Sequence, residues 1–172
     1  PHGTFIGASV FGIAATRPDE IAQNVRLMAA HLDYVAPMVY PSHWGSGEYG
    51  LSSPESQPYE IVNASLEDFK TAVRGTGARV VPWLQDFSLA IPYGPDEVRA
   101  QIDATKDAGI SEWLLWDPEV TYTAAGIPGA AKLPATGTAR PKLKAFDRPE
   151  GAVGAEGPVD SGLAPNELGQ VP

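Results

Sequence analysis

Four short apolar runs alternate with three stretches of helical period over residues 1–125. The runs cover 5–11, 34–40, 79–84 and 113–116. The first, second and fourth are apolar on both faces, as parallel strands buried on both sides require. Pro37 and Pro82 lie inside the second and third runs. Each removes a ladder hydrogen bond, so an irregularity or lost pairing is expected there. Between the runs, Ile21, Val25, Met28 and Leu32 make one stripe on a helix over 18–31. Val62, Leu66, Phe69 and Val73 do so on a helix over 58–74, and Val98, Ile102 and Thr105 on a helix from 95 to Gly109. Pro18, Pro58 and Pro95 open these helices, Asp19 and Glu20 suit the positive end of the first, and Gly75 and Gly109 stop the other two.

Alternating strands and helices imply parallel strands joined by right-handed crossovers. A small open α/β sheet and half of an eight-stranded (β/α) barrel both satisfy the pattern. The connections favour the barrel. Segments after strands (12–17, 41–57, 85–94, 117–123) are long or rich in aromatic and polar residues. Those before strands, such as Gly75-Thr76-Gly77 and Gly109-Ile110-Ser111, are short. Barrel enzymes place their chemistry on the loops after strands. From residue 126 the chain is rich in Gly, Pro and Ala and keeps no period. The expected organisation is a partial barrel over 1–125 and a disordered tail over 126–172. A first residue that is Pro1, with a strand-like run from Phe5, suggests a chain that starts inside something longer.

Charge and composition narrow the function. The 172 residues carry 21 acidic and 12 basic side chains, a net −9. No basic excess exists to neutralise phosphates, so nucleic acid is not an expected partner. No apolar run approaches the roughly 20 residues of a membrane helix, so no membrane insertion is expected. With no cysteine, thiolate metal sites and a cysteine nucleophile are excluded. Val10-Phe11-Gly12-Ile13-Ala14 holds one glycine, which disfavours a phosphate loop. No cofactor and no metal site are expected; His43, Glu48 and Asp86 lack a compact ligand motif.

Carboxylates follow two strands. Asp86 lies just past the third run and Asp117 just past the fourth. Neighbouring parallel strands are about 4.8 Å apart, close enough to pair these two groups. Carboxylates about 5–5.5 Å apart suit retaining glycoside hydrolysis, and about 6.5–9.5 Å suits inversion. The plainer reading gives Asp86 a turn cap and Asp117 the Asp-Pro turn. The loop Pro41-Ser42-His43-Trp44-Gly45-Ser46-Gly47-Glu48-Tyr49-Gly50 adds an imidazole, a carboxylate and two aromatic faces. Such a set suits a sugar ring, with its apolar faces and polar rim. Its plainer reading is a structured surface loop.

Several strings in order resemble a known family. They are Val10-Phe11-Gly12, the run from Tyr34 through Tyr40-Pro41-Ser42-His43, Gly47-Glu48-Tyr49-Gly50, Pro82-Trp83-Leu84-Gln85-Asp86-Phe87, Glu97-Val98-Arg99-Ala100-Gln101-Ile102 and Leu115-Trp116. Together they resemble a family of bacterial (β/α)8 barrels classed with glycoside hydrolases, long labelled a domain of unknown function and distantly similar to α-amylase-type enzymes. The resemblance covers about residues 5–122. It implies that the four strands are the fifth to eighth of a TIM barrel, whose first four strands are not in this chain. It makes Asp86 the best-matched carboxylate and places Tyr40, His43, Trp83 and Gln85 in the cleft. Where the family's fifth strand usually reads Ala-Asp-Val-Phe-Gly, this chain has Ala8-Ser9-Val10-Phe11-Gly12, and a serine cannot replace a carboxylic acid. The family often has Asn at the position of Asp117.

The resulting expectation is the C-terminal half of a (β/α)8 glycoside hydrolase acting on a polysaccharide or cell-envelope glycan, and needing the other half. Asp86, Glu48 and Asp117 are the candidate catalytic carboxylates. Tyr40, His43, Trp44, Trp83, Gln85 and Trp116 are the candidate sugar-binding residues. The resemblance implies secretion or envelope attachment of the full-length form; oligomeric state is open. The rival readings are a non-catalytic glycan-binding or scaffold module, and an inactive truncated fragment.

Overall fold

The computed structural model describes residues 3–130. It contains the strands β1 (Gly7–Phe11), β2 (Tyr34–Met38), β3 (Arg79–Val80), β4 (Trp83–Gln85) and β5 (Leu114–Trp116). Every pairing is parallel. The order is β1-β2-β4-β5, with β3 also beside β2. β3 and β4 are two pieces of the expected third strand. Val81 N–H donates to Val35 O at 2.9 Å, Pro82 has no N–H to give, and pairing resumes where Trp83 meets Met38. Pro37, in contrast, stays inside β2 opposite Val10.

Strands that neighbour in chain order, joined by right-handed crossovers, carry all their helices on one face. Burial follows that rule. Val10, Val35 and Leu84 are fully buried beneath the helices, while on the opposite face Phe11 is 50% exposed and Trp116 44%. The core is closed by α3 (Pro58–Ala72), through Ile61, Val62, Leu66 and Phe69, and by α4 (Pro95–Asp107), through Val98 and Ile102.

The first expected helix is broken. It forms α1 (Pro18–Ile21) and α2 (Val25–Ala29), separated by Ala22 in the left-handed region at φ 53°. Two side chains explain the break. Gln23 Oε1 accepts the N–H of Phe11 at 2.8 Å, at the end of β1. Asn24 then starts α2 as its cap, accepting from Leu27 N–H at 3.0 Å. A 3-10 turn, Ala124–Gly126, lies against the start of α4, and a Cβ on Gly126 would sit 2.9 Å from Pro95 O and Val98 Cβ. Residues 131–172, most of the expected tail, lie outside the described residues. Among the described residues no helix is long and apolar enough to cross a membrane.

One side chain fastens the sheet to the helix layer at the C-terminal end of β4. Gln101, fully buried on α4, accepts from Gln85 N–H and donates to Gln85 O, both at 2.8 Å. Replacing Gln101 by Leu leaves both backbone groups buried and unpaired, at about 1–3 kcal/mol each. Urea titration of Gln101→Leu is therefore expected to show a loss of about 2–6 kcal/mol.

Candidate active site

The loops after β2 and β4 meet in an aromatic cluster. Tyr40 is buried just past β2. A 3-10 turn, Pro41–His43, brings the His43 ring edge-on to it at 5.1 Å. Phe87, two residues past β4, meets Tyr40 edge-on at 5.4 Å and His43 at 6.3 Å. Gln85 holds the two loops together: its Oε1 accepts from Ser42 N–H at 3.0 Å and its Nε2 donates to Phe87 O at 2.8 Å. Expected as a cleft residue, Gln85 is instead fully buried with both ends of its amide in use. Trp44 is likewise turned into the core. Its ring lies 5.3 Å from that of Tyr49, in the space Gly12 leaves open, where a Cβ would come within 3.2 Å of Trp44 Cζ2 and 2.6 Å of Met38 O.

A second aromatic group occupies the helix-free face of the sheet. Trp83 Nε1 donates to Ser9 Oγ at 3.0 Å, and the Trp83 and Trp116 rings meet edge-on at 6.0 Å. Register sets their levels. Trp83 pairs with Met38 and Leu114, and Gln85 with Trp116. Tyr40 follows Met38 by two residues, so it joins Gln85 and Trp116 one level up, about 6.6 Å toward the strand ends.

Each of the three candidate carboxylates has its own partners, and Asp86 and Asp117 follow the in-register pair of Gln85 and Trp116 on neighbouring strands. Glu48 forms an ion pair with Arg17 at 3.1 Å, clasping the loop after β2 to the loop after β1. Asp117 accepts from Glu119 N–H through Oδ1 at 3.0 Å and from Thr121 N–H through Oδ2 at 2.8 Å. Both its oxygens thus serve its own turn. Asp86 is 6% exposed. Its Oδ2 accepts from Thr123 N–H at 2.8 Å, so it faces the loop after β5, while Oδ1 is buried with no partner. Its chain neighbour Phe87, not Asp86 itself, makes the contacts to Tyr40 and His43. No group of three His, Asp or Glu among the described residues could hold a metal ion.

Burial tunes two groups in the aromatic cluster. It pushes the Tyr40 phenol up to about 12, so the hydroxyl stays a neutral donor. Burial also lowers the His43 imidazole from its ordinary 6.5, because the charged ring loses hydration against its neighbours. Tyr49 is raised by burial and by its bond to Asp68, a 2.6 Å contact that turns its hydroxyl toward α3.

Sequence reasoning missed three members of this rim. Phe87 was visible only as the residue after Asp86. Ser9 was read as a missing acid, and its bond to Trp83 spans 74 positions. Glu55 gave no signal at all. Its Oε1 accepts from the N–H groups of Ala90 and Ile91, and its carbonyl from the Tyr93 hydroxyl at 2.7 Å, joining the loops after β2 and β4 a second time.

Residues 1–122 match the model of a family described as "Putative glycosyl hydrolase domain". Among solved structures the chain is similar to the PgaB (BpsB) glycoside hydrolase domain from Bordetella bronchiseptica, with 16% identity and a TM-score of 0.49. The alignment covers 75% of this chain and 34% of that one, so the chain spans about a third of that structure's length. No curated protein matches it.

His43 is expected to titrate below 6.5 by proton NMR, and Phe87→Ala to move the midpoint back up toward 6.5. The sign carries over to stability. A midpoint lowered by folding favours the folded state above about pH 6.5, and that contribution is lost as the pH falls through the folded midpoint.

Proposed function

The chain belongs to the family matched by residues 1–122, and on that premise we propose that it is the strand-five-to-eight part of a (β/α)8 glycoside hydrolase acting on a polysaccharide or oligosaccharide. Two features support the half-barrel reading: strands in chain order, and a face bearing aromatic side chains with no helix over it among the described residues. The four remaining strands of a barrel would cover that face. Trp83 and Trp116 would stack on the apolar faces of sugar rings, with Tyr40 and neutral His43 bonding to their hydroxyls.

Asp86 is the acid/base group in this reading, and one observation carries it. Glu48 is paired with Arg17, and Asp117 has both oxygens in its own turn. Asp86 alone of the three keeps a buried oxygen without a partner. A buried acceptor left unpaired costs about 1–3 kcal/mol. A proton shared with a glycosidic oxygen, or a sugar hydroxyl, removes that deficit. Hydrolysis uses a second carboxylate, which in this reading comes from the other half of the barrel. A second reading, glycan binding without cleavage, is favoured by Ser9, which bonds to Trp83 where the family's acid would stand.

Reducing-end assays on the full-length protein decide between the two. Asp86→Asn keeps an acceptor for Thr123 N–H, so the melting temperature should hold, while turnover falls by about 100-fold or more. Unchanged turnover would remove Asp86 from the chemistry. By calorimetry, Trp116→Ala is expected to weaken oligosaccharide binding about tenfold, or 1.4 kcal/mol. Binding of that kind with no cleavage by the parent protein would establish the second reading.

A further inference from the structure

We propose that Asp117 is a positioning residue for Asp86, acting through the loop after β5. The inference rests on Asp86 being the acid/base group, yet the coupling itself is read from the geometry of the loop. Pro118 has no N–H. The next three backbone N–H groups, of Glu119, Val120 and Thr121, all point back to Asp117: to Oδ1 at 3.0 Å, to the carbonyl at 3.1 Å and to Oδ2 at 2.8 Å. This winding forces Val120 to φ 59°. A β-branched side chain is a steric outlier in that region. Such a conformation persists only where its surroundings over-determine it. Val120 is 74% exposed, so no packing holds it there. The three bonds to Asp117 do.

The winding delivers one further donor. Two residues beyond Thr121, the N–H of Thr123 reaches Asp86 Oδ2 at 2.8 Å. The chain then turns through Ala124–Gly126 and is seated on α4 by buried Gly126. Asp86 is thereby made asymmetric. One oxygen is fixed by a backbone donor, and the other is buried with no partner. A carboxylate pinned at one oxygen cannot rotate freely, so the unpaired oxygen has a fixed place. Asp117 sets that place from the neighbouring strand without touching substrate.

The coupling is tested by NMR on the full chain. Asp117→Ala is expected to speed hydrogen exchange at the Thr123 amide at least tenfold and to shift the Asp86 13Cγ resonance. Exchange at the core amides of Val35 and Leu84, and the melting temperature, should stay as in the parent. Val120→Gly, which accepts positive φ without strain, is expected to leave both site signals in place. Thr123 exchange within twofold of the parent in Asp117→Ala, or an unmoved Asp86 resonance, overturns the proposal. Should Asp117→Ala fail to fold, Thr123→Pro removes the one donor to Asp86. The same resonance must then shift, and a resonance that stays put overturns the proposal equally. In the full-length enzyme Asp117→Ala should lower kcat and leave KM unchanged. Should Asp86→Asn retain full turnover, the catalytic reading fails, while the exchange and resonance results still report whether Asp117 positions Asp86.

Discussion

The backbone N–H and C=O of Gln85 both pair with the side chain of Gln101, while its own amide reaches Ser42 on one side and Phe87 on the other. Four bonds thus converge on the last residue of β4. Two of them tie the sheet to α4, and two tie together the loops that follow β2 and β4. All are buried or partly buried, where a hydrogen bond is stronger and a missing partner more costly. The aromatic cluster of Tyr40, His43 and Phe87 sits on this joint. So does Asp86, whose N–H continues the ladder to Trp116 O.

The polarity of the sheet explains the remainder of the architecture. Short returns at one end of the strands leave little to vary, whereas the opposite end carries long segments locked to one another. Glu48 with Arg17, Glu55 with the 88–93 segment, and Asp86 with Thr123 each bridge loops from different strands. The rim is accordingly a connected frame of charged and backbone groups rather than a set of independent loops. Glu48, Glu55 and Asp86 each supply one of its fastenings.

The strands and the two long helices were legible because their signals are local: apolar runs bounded by glycines, and stripes at helical spacing opened by proline. The split at Pro82 was legible for the same reason. The break after Ile21 was not, because the stripe through Val25 and Met28 continues across it, and what overrides that stripe is the reach of Gln23 to Phe11. The site divides in the same way. The turn around Asp117 involves partners two and four residues away, and the Asp-Pro pair announced it. The partners of Glu48, Gln85 and Trp44 are brought near only by the tertiary fold, so no local signal announces them. Asp86 was found by its place after a strand, but the direction of its carboxylate is set by Thr123, 37 positions on.

The edge-on indole pair has one more consequence. Trp44 and Trp113 lie in or against the core, whereas Trp83 and Trp116 share the surface that no helix among the described residues shields. Two of the four tryptophans are therefore built-in fluorophores on that surface. Their emission colour and their quenching by dissolved iodide report the polarity of whatever lies against the sheet, without any label being attached.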